Sequence, residues 1–111
     1  MGIKVAIQGI QGSFHHQVAH RYFGEAIGLD ECVTFRDVAN SMKNNQSDKA
    51  IMAIENSIAG AILPNYALID SYDLHIIGEH FLDIHMNLMV LPDQTIVDIK
   101  EVHSHPIALL Q

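Results

Sequence analysis

One cysteine, no tryptophan, three prolines and only six basic residues stand in these 111 residues, and each scarcity removes a class of answer. Cys32 has no partner for an internal disulfide, and its apolar neighbours read as a buried thiol in a reducing compartment. No stretch reaches the ~18 consecutive apolar residues of a membrane span. The N-terminus opens on a strand pattern, Ile3-Lys4-Val5-Ala6-Ile7, without the charged-then-apolar layout of a secretory signal, so a cytoplasmic location is expected. Lys4, Arg21, Arg36, Lys43, Lys49 and Lys100 are scattered through a chain of formal net charge −7. That argues against nucleic acid and anionic membrane as partners. An anionic ligand would instead need backbone N–H groups, hydroxyls and helix N-termini. No P-loop is present, and Gly9-x-x-Gly12 is too short for a dinucleotide fingerprint.

Apolar residues make up 49% of the chain, enough for the core of one small domain. Ile3 to Gln8 reads as a first strand and Gly9 to Ser13 as a glycine-bearing turn. Ser13 is placed to cap a helix whose apolar face is Phe14, Val18, Ala19, Tyr22 and Phe23, stopped at Gly24. Cys32 to Phe35 reads as a second strand. Asp37 then caps a short helix carrying Val38, Ala39 and Met42, which Asn44 and Asn45 end. Lys49 to Ile54 reads as a third strand, followed by a helix with Pro64 in its first turn that runs to about Tyr72. This alternation predicts an α/β fold, a parallel sheet with helices on its faces.

From Leu74 the pattern changes. Two extended stretches are expected, Leu74 to about Gly78 and about Leu82 to Leu91, of the kind that joins two lobes. A turn at Pro92 to Thr95, a helical turn at Ile96 to Ile99 and a short strand at Glu101 to His103 follow. A helix is then expected from Ser104-His105-Pro106 onward.

The most telling stretch is Ile51-Met52-Ala53-Ile54-Glu55-Asn56-Ser57-Ile58-Ala59-Gly60, an apolar run that breaks into a carboxylate, an amide and a hydroxyl. Ligands of open α/β sheets bind at the carboxyl ends of strands. Gly60 allows close backbone approach or positive φ. A loop that merely caps its own backbone would look the same. Gly9–Ser13, Glu55–Gly60 and Ser104–Pro106 share one plan: each follows an expected strand, carries a serine and leads into a helix. On one edge of a parallel sheet they would line a cleft suited to a small carboxylate.

Eight histidines raise the question of metal. His16 and His20 have the i, i+4 spacing of a zinc-binding helix, but Gln17 replaces the glutamate of His-Glu-x-x-His and no third ligand is evident. A partly exposed helix face is the simpler reading, and no metal is expected. His75 and His85 would lie about 33 Å apart on an unbroken extended segment. Met52, Met86 and Met89 read as core.

With these residues in view, the chain resembles the catalytic domain of prephenate dehydratases. The resemblance is carried by Ile7-Gln8-Gly9-Ile10-Gln11-Gly12-Ser13-Phe14, by Ile54-Glu55-Asn56-Ser57-Ile58-Ala59-Gly60 and by Ser104-His105-Pro106-Ile107-Ala108-Leu109-Leu110-Gln111. It departs in the first loop, where the family usually has Gly-Pro-x-Gly-Thr-Phe/Tyr-Ser: Ile10 replaces the proline, Ser13 the threonine and His15 the serine. The family's Thr-Arg-Phe motif belongs downstream of Gln111, as does the regulatory ACT domain.

The resemblance implies a lobe of three α/β/α layers in a two-lobed fold like type II periplasmic binding proteins. Residues 1–80 would form most of the first lobe and residues 84–111 the start of the second. It implies conversion of prephenate to phenylpyruvate with no cofactor. Ser13, Asn56, Ser57, Ser104 and His105 would bind substrate, Gly12, Glu55 and Gly60 would shape the site, and the acid would be the threonine beyond Gln111. Glu55 could equally be structural, accepting N–H bonds from neighbouring loops. The isolated chain is expected to be inactive. It is also expected to self-associate, because Leu88, Val90, Ile96, Ile99, Val102, Ile107, Leu109 and Leu110 lack partner surface. A binding module of another class, holding a small carboxylate without turnover, is the alternative.

Overall fold

The computed structural model of the chain describes residues 2–105. Its centre is strand β1, Lys4–Gln8. Val5, Ala6 and Ile7 are fully buried, the mark of a strand covered on both faces. β2 (Gly28–Cys32) pairs with it in parallel from Lys4↔Gly28 to Gln8↔Cys32, and β3 (Lys49–Ala50) pairs in parallel on the other side, giving the order β2-β1-β3.

Side chains of a strand alternate between faces. Val5 and Ile7 meet Ala19 of helix α1 (Phe14–Phe23) on one face. Ala6 meets Cys32 and Val38 of helix α2 (Phe35–Lys43) on the other. One helix on each face makes three layers, and α3 (Leu63–Ser71) packs beside α2. The parallel α/β sheet with flanking helices is what the sequence pattern predicts.

Several boundaries differ. The second strand is Gly28–Cys32, not Cys32 to Phe35, because Thr34 begins a helix. Thr34 Oγ1 accepts the Asp37 N–H at 3.1 Å and the Asp37 carboxylate accepts the Thr34 N–H at 3.3 Å, a reciprocal capping box. Asp37 therefore completes the cap that Thr34 provides. The polar look of β2 hid it: the Asp30 carboxylate receives the hydroxyls of Ser41 and Ser47, both buried, which ties β2 to α2 and to the turn before β3. In α1 the buried face is His16, Ala19 and, in part, Phe23, whereas Phe14 and Tyr22 are exposed. Ser13 caps this helix and Gly24 ends it, as expected.

The third strand pairs over Lys49–Ala50 only, with Ile51 N–H adding one bond to the Ala6 carbonyl. Ile51 to Ile54 then turn to α3 for partners: the Ile54 carbonyl accepts Ile62 N–H, and the Ala53 carbonyl accepts the Asn65 side chain. Glu55–Asn56 (β4) and Gly60–Ala61 (β5) form a small antiparallel hairpin.

Leu74 to about Gly78, about Leu82 to Leu91 and Glu101 to His103, expected as strands, form none among the described residues. Extended backbone becomes a strand only when its N–H and C=O groups pair with a neighbour, and among the described residues no ladder runs beside these segments. Met86 and Met89 are exposed, not core. Gly78 sits against the Tyr22 phenol, where any side chain at 78 would collide with the ring. A 3-10 turn at Ile96–Asp98 matches the expected helical turn. The helix expected from Pro106 onward lies outside the described residues.

Candidate functional site

Because β1 and β3 are parallel neighbours, the segments that leave their carboxyl ends emerge on one edge of the sheet. One is the loop Gly9–Ser13 and the other is Ile51–Ile54 leading into the β4–β5 hairpin. Ser104 and His105 stand elsewhere in the chain's course: Ser104 belongs to a separate open hollow lined by residues such as Met86, Leu88, Ile99 and Val102. The third strand-to-helix loop of the expected cleft is therefore not built by a strand, since Glu101–His103 is unpaired among the described residues.

In the first loop the Ser13 hydroxyl accepts the His16 N–H at 3.3 Å as the cap of α1. Gly12 has φ +91°, a conformation open to glycine. Four of the five N–H groups of residues 9–13 are already taken. Gly9 donates to the Cys32 carbonyl at 2.8 Å and Ser13 to the Ile10 carbonyl at 3.0 Å. Gln11 donates to the Glu31 carboxylate and Gly12 to His16 Nδ1 at 2.7 Å. An anion at this loop would meet mostly occupied donors. The expectation of free N–H groups there is corrected, and the reason is local: Glu31 on β2 and His16 on α1 both reach the loop. Sequence reading missed both roles. For His16 the signal was its place four residues after Gly12, on the first turn of a helix that must lie over the loop.

In the hairpin, Asn56 Oδ1 accepts the N–H groups of Ile58 (2.9 Å) and Ala59 (3.1 Å), an Asx turn that shapes the tip. Its oxygen is thereby engaged, and its NH₂ is the half left to donate outward. Ser57 is exposed in the turn, and Gly60 closes the hairpin at φ +81°. Glu55 is exposed and accepts the Tyr66 hydroxyl at 3.3 Å. The Tyr66 phenol is pushed up by desolvation of the ring and then by the Glu55 charge beside it. Of the two readings of Glu55, the observed contact is a side-chain bond to α3 and not an N–H bond from a neighbouring loop. Asn65, almost fully buried, donates to the Ala53 carbonyl at 2.7 Å and so fixes the segment that carries the hairpin.

His15 lies beside Phe35, ring centroids 5.4 Å apart, with its Nε2 buried and unpartnered. Burial holds its imidazole below the usual histidine value. Cys32 is buried, and desolvation followed by the Asp30 and Asp37 charges pushes its thiol up, so it is not an activated nucleophile. Among the described residues no three His, Cys, Asp or Glu side chains gather as a metal site. His16 and His20 meet through their Nε2 atoms at 3.0 Å. With Gly12 N–H donating to Nδ1, the neutral His16 ring must carry its proton on Nε2, the atom a metal would need.

A sequence model of the family described as prephenate dehydratase matches residues 5–111. The chain belongs to the prephenate dehydratase family. It is 38% identical over 102 residues to a bifunctional chorismate mutase/prephenate dehydratase of Buchnera aphidicola, covering 88% of this chain and 26% of that protein. It is 36% identical over 107 residues to the Escherichia coli K12 protein of the same name, covering 93% and 28%. A solved prephenate dehydratase of Streptococcus mutans superposes with a TM-score of 0.56 at 31% identity, covering 60% of this chain and 35% of that one. The chain thus spans about a quarter to two-fifths of the length of the curated relatives it matches. Among the described residues no helix is long and apolar enough to cross a membrane.

Proposed function

We propose that this chain is the prephenate-binding part of a prephenate dehydratase acting in phenylalanine biosynthesis. The observation that carries the reading is the placement of the Gly9–Ser13 loop and the Glu-Asn-Ser hairpin at one edge of the sheet, beyond two adjacent parallel strands. In the proposed reaction the bond from the ring to its carboxylate breaks and its electron pair aromatises the ring. The ring C–O bond breaks, and the hydroxyl leaves as water after taking a proton, giving phenylpyruvate, carbon dioxide and water. Aromatisation supplies the driving force, and no cofactor is invoked.

The chain's own contribution is to hold and orient. The Asn56 NH₂ and the Ser57 hydroxyl would be the hairpin's donors, and Ser13 would add its hydroxyl from the loop at the same sheet edge. Gly12, Gly60 and Glu55 shape these two elements. The proton would come from the threonine of the downstream Thr-Arg-Phe segment. Ser104 and His105 would join the site from a second lobe beginning near residue 84, with residues 1–80 as most of the first lobe, in the manner of type II periplasmic binding proteins. We place the protein in the cytoplasm, as a homo-oligomer whose association covers Leu88, Val90, Ile96 and Val102, all exposed here.

The test of binding is a titration of prephenate into the isotope-labelled 111-residue chain. Amide shifts confined to the hairpin and the Gly9–Ser13 loop are expected. Shifts absent from both at millimolar prephenate would contradict the reading.

A further inference from the structure

We propose that His16 is the positioning residue of the Gly9–Ser13 loop, and that it holds the loop only while its ring carries a single proton. The geometry is a chain of three groups. Gly12 N–H donates to His16 Nδ1 at 2.7 Å, and His16 Nε2 lies 3.0 Å from His20 Nε2, the rings crossing at 63° with centroids 4.1 Å apart. Histidine has one acceptor nitrogen when neutral and none when charged. The Gly12 bond therefore fixes the tautomer: Nδ1 of His16 is bare, Nε2–H donates to His20, and His20 keeps its own proton on Nδ1.

Every added proton breaks a link. A second proton on His16 goes to Nδ1 and turns the acceptor of Gly12 into a donor, so two N–H groups face each other at 2.7 Å and must part. A second proton on His20 goes to Nε2 and removes the acceptor of the His16 donor. The Gly12 N–H lies in an exposed loop, so once released it turns to water. The backbone N–H of His16 is capped by Ser13, so His16 holds the loop at two successive residues and only one hold is proton-sensitive.

The groups that face the pair are few. Both rings line a hollow of about 430 Å³ with Gln11 of the loop, Glu25 from the connection after α1, and Ile27, Leu29 and Glu31 around β2. Glu25 and Glu31 are the acidic residues of that lining, and no lysine or arginine among the described residues belongs to it. Glu31 accepts the Gln11 N–H, so a released Gly12 leaves the loop tethered by Glu31 on one side and by the Ser13 cap on the other. The latch is set by which ring nitrogens carry protons. Its effect on ligand binding rests on the reading of the loop as part of the prephenate site, whereas the latch itself belongs to the ligand-free chain.

The experiment is nuclear magnetic resonance on the isotope-labelled 111-residue chain without ligand, following the His16 ring nitrogens, the Gly12 amide and the scalar coupling across the hydrogen bond between Gly12 N and His16 Nδ1. At pH 8 the coupling is expected and Nδ1 is unprotonated. As the pH falls through the titration of His16, the coupling disappears and the Gly12 amide proton moves upfield. His16→Asn, whose side-chain oxygen can replace Nδ1, keeps the Gly12 amide bonded at every pH. His16→Ala releases it at every pH while circular dichroism still shows the helices. A proton on Nδ1 at pH 8, or a Gly12 amide that ignores the titration of His16, would overturn the proposal. Neither outcome involves prephenate, so failure here is distinct from failure of the binding titration.

Discussion

Asn65 donates its side-chain amide to the carbonyl of Ala53 at 2.7 Å from a position almost without solvent exposure. The bond joins the first turn of α3 to the segment that leaves β3 and enters the Glu-Asn-Ser hairpin. No strand pairs with Ala53, so this bond stands where a sheet ladder would otherwise be. Asn65→Ala should destabilise the chain by about 1–3 kcal/mol, the cost of stranding a buried polar group. Urea unfolding measures it, and an unchanged midpoint would show that the segment is held by something else.

The Asp30 carboxylate gathers the hydroxyls of Ser41 and Ser47, which themselves stand 2.8 Å apart. Three elements meet in this buried knot. Ser41→Ala removes one donor and leaves a carboxylate under-satisfied, at a cost of about 1.5–3 kcal/mol for a bond to a charged group. Ser47→Ala in the same background should add less than its effect alone, since the two hydroxyls share one acceptor. Strict additivity in the urea midpoints of the double-mutant cycle would count against the knot.

His15 gives the fold an acid-sensitive point. Burial holds its folded value below the usual histidine value, so the unfolded chain binds the proton first as pH falls. The sign follows: its stabilisation is complete above the unfolded value of about 6.5 and is lost as pH falls through the lower folded value. The wild-type chain should therefore lose more stability between pH 8 and pH 5 than His15→Phe, compared by urea midpoints at both pH values. Equal losses would mean that His15 is solvated in the fold.

The sheet, its parallel sense and the three helices were legible in the sequence because Val5, Ala6 and Ile7 form an apolar strand centre and the Ser13 cap, Pro64 in the first turn of α3 and Asn44 after α2 are local signals. β2 was misplaced because Asp30 and Glu31 make a strand look like a loop, and their partners, Ser41, Ser47 and Gln11, are remote in sequence. The apolar spacing of α1 pointed to Phe14 and Tyr22, but the helix turns His16 inward because its ring has work at Gly12. Leu74 to Gly78, Leu82 to Leu91 and Glu101 to His103 carry strand-like sequence, but a strand needs a neighbour to pair with, and among the described residues none pairs with them. At the site, the hairpin residues were visible as a motif. What their polar atoms already bond, Asn56 to its own turn and Glu55 to Tyr66, could be known only from the folded chain.

The hairpin assignment has a kinetic consequence in a chain extended through the Thr-Arg-Phe segment. Asn56→Ala should lower kcat/KM by about 10- to 150-fold, the equivalent of about 1.5–3 kcal/mol for a hydrogen bond to a charged group. Because Asn56 also shapes its own turn, Asn56→Asp is the companion variant. It keeps the turn acceptor while replacing the donor by a negative charge, and it should be at least as damaging as Asn56→Ala. Wild-type kinetics in Asn56→Asp would remove Asn56 from the substrate site.

The proposed function makes this chain the prephenate-binding part of a dehydratase, with the threonine of the family's Thr-Arg-Phe motif as the acid. The direct measurement is phenylpyruvate formation by two purified proteins, the 111-residue chain and the same chain extended through the Thr-Arg-Phe segment. Positioned acid assistance is worth about 10²–10⁴-fold in rate. The account predicts turnover by the extended chain and a rate near the uncatalysed level for the shorter one. Comparable rates from the two would contradict the placement of the acid, and no phenylpyruvate from the extended chain would contradict the assigned function.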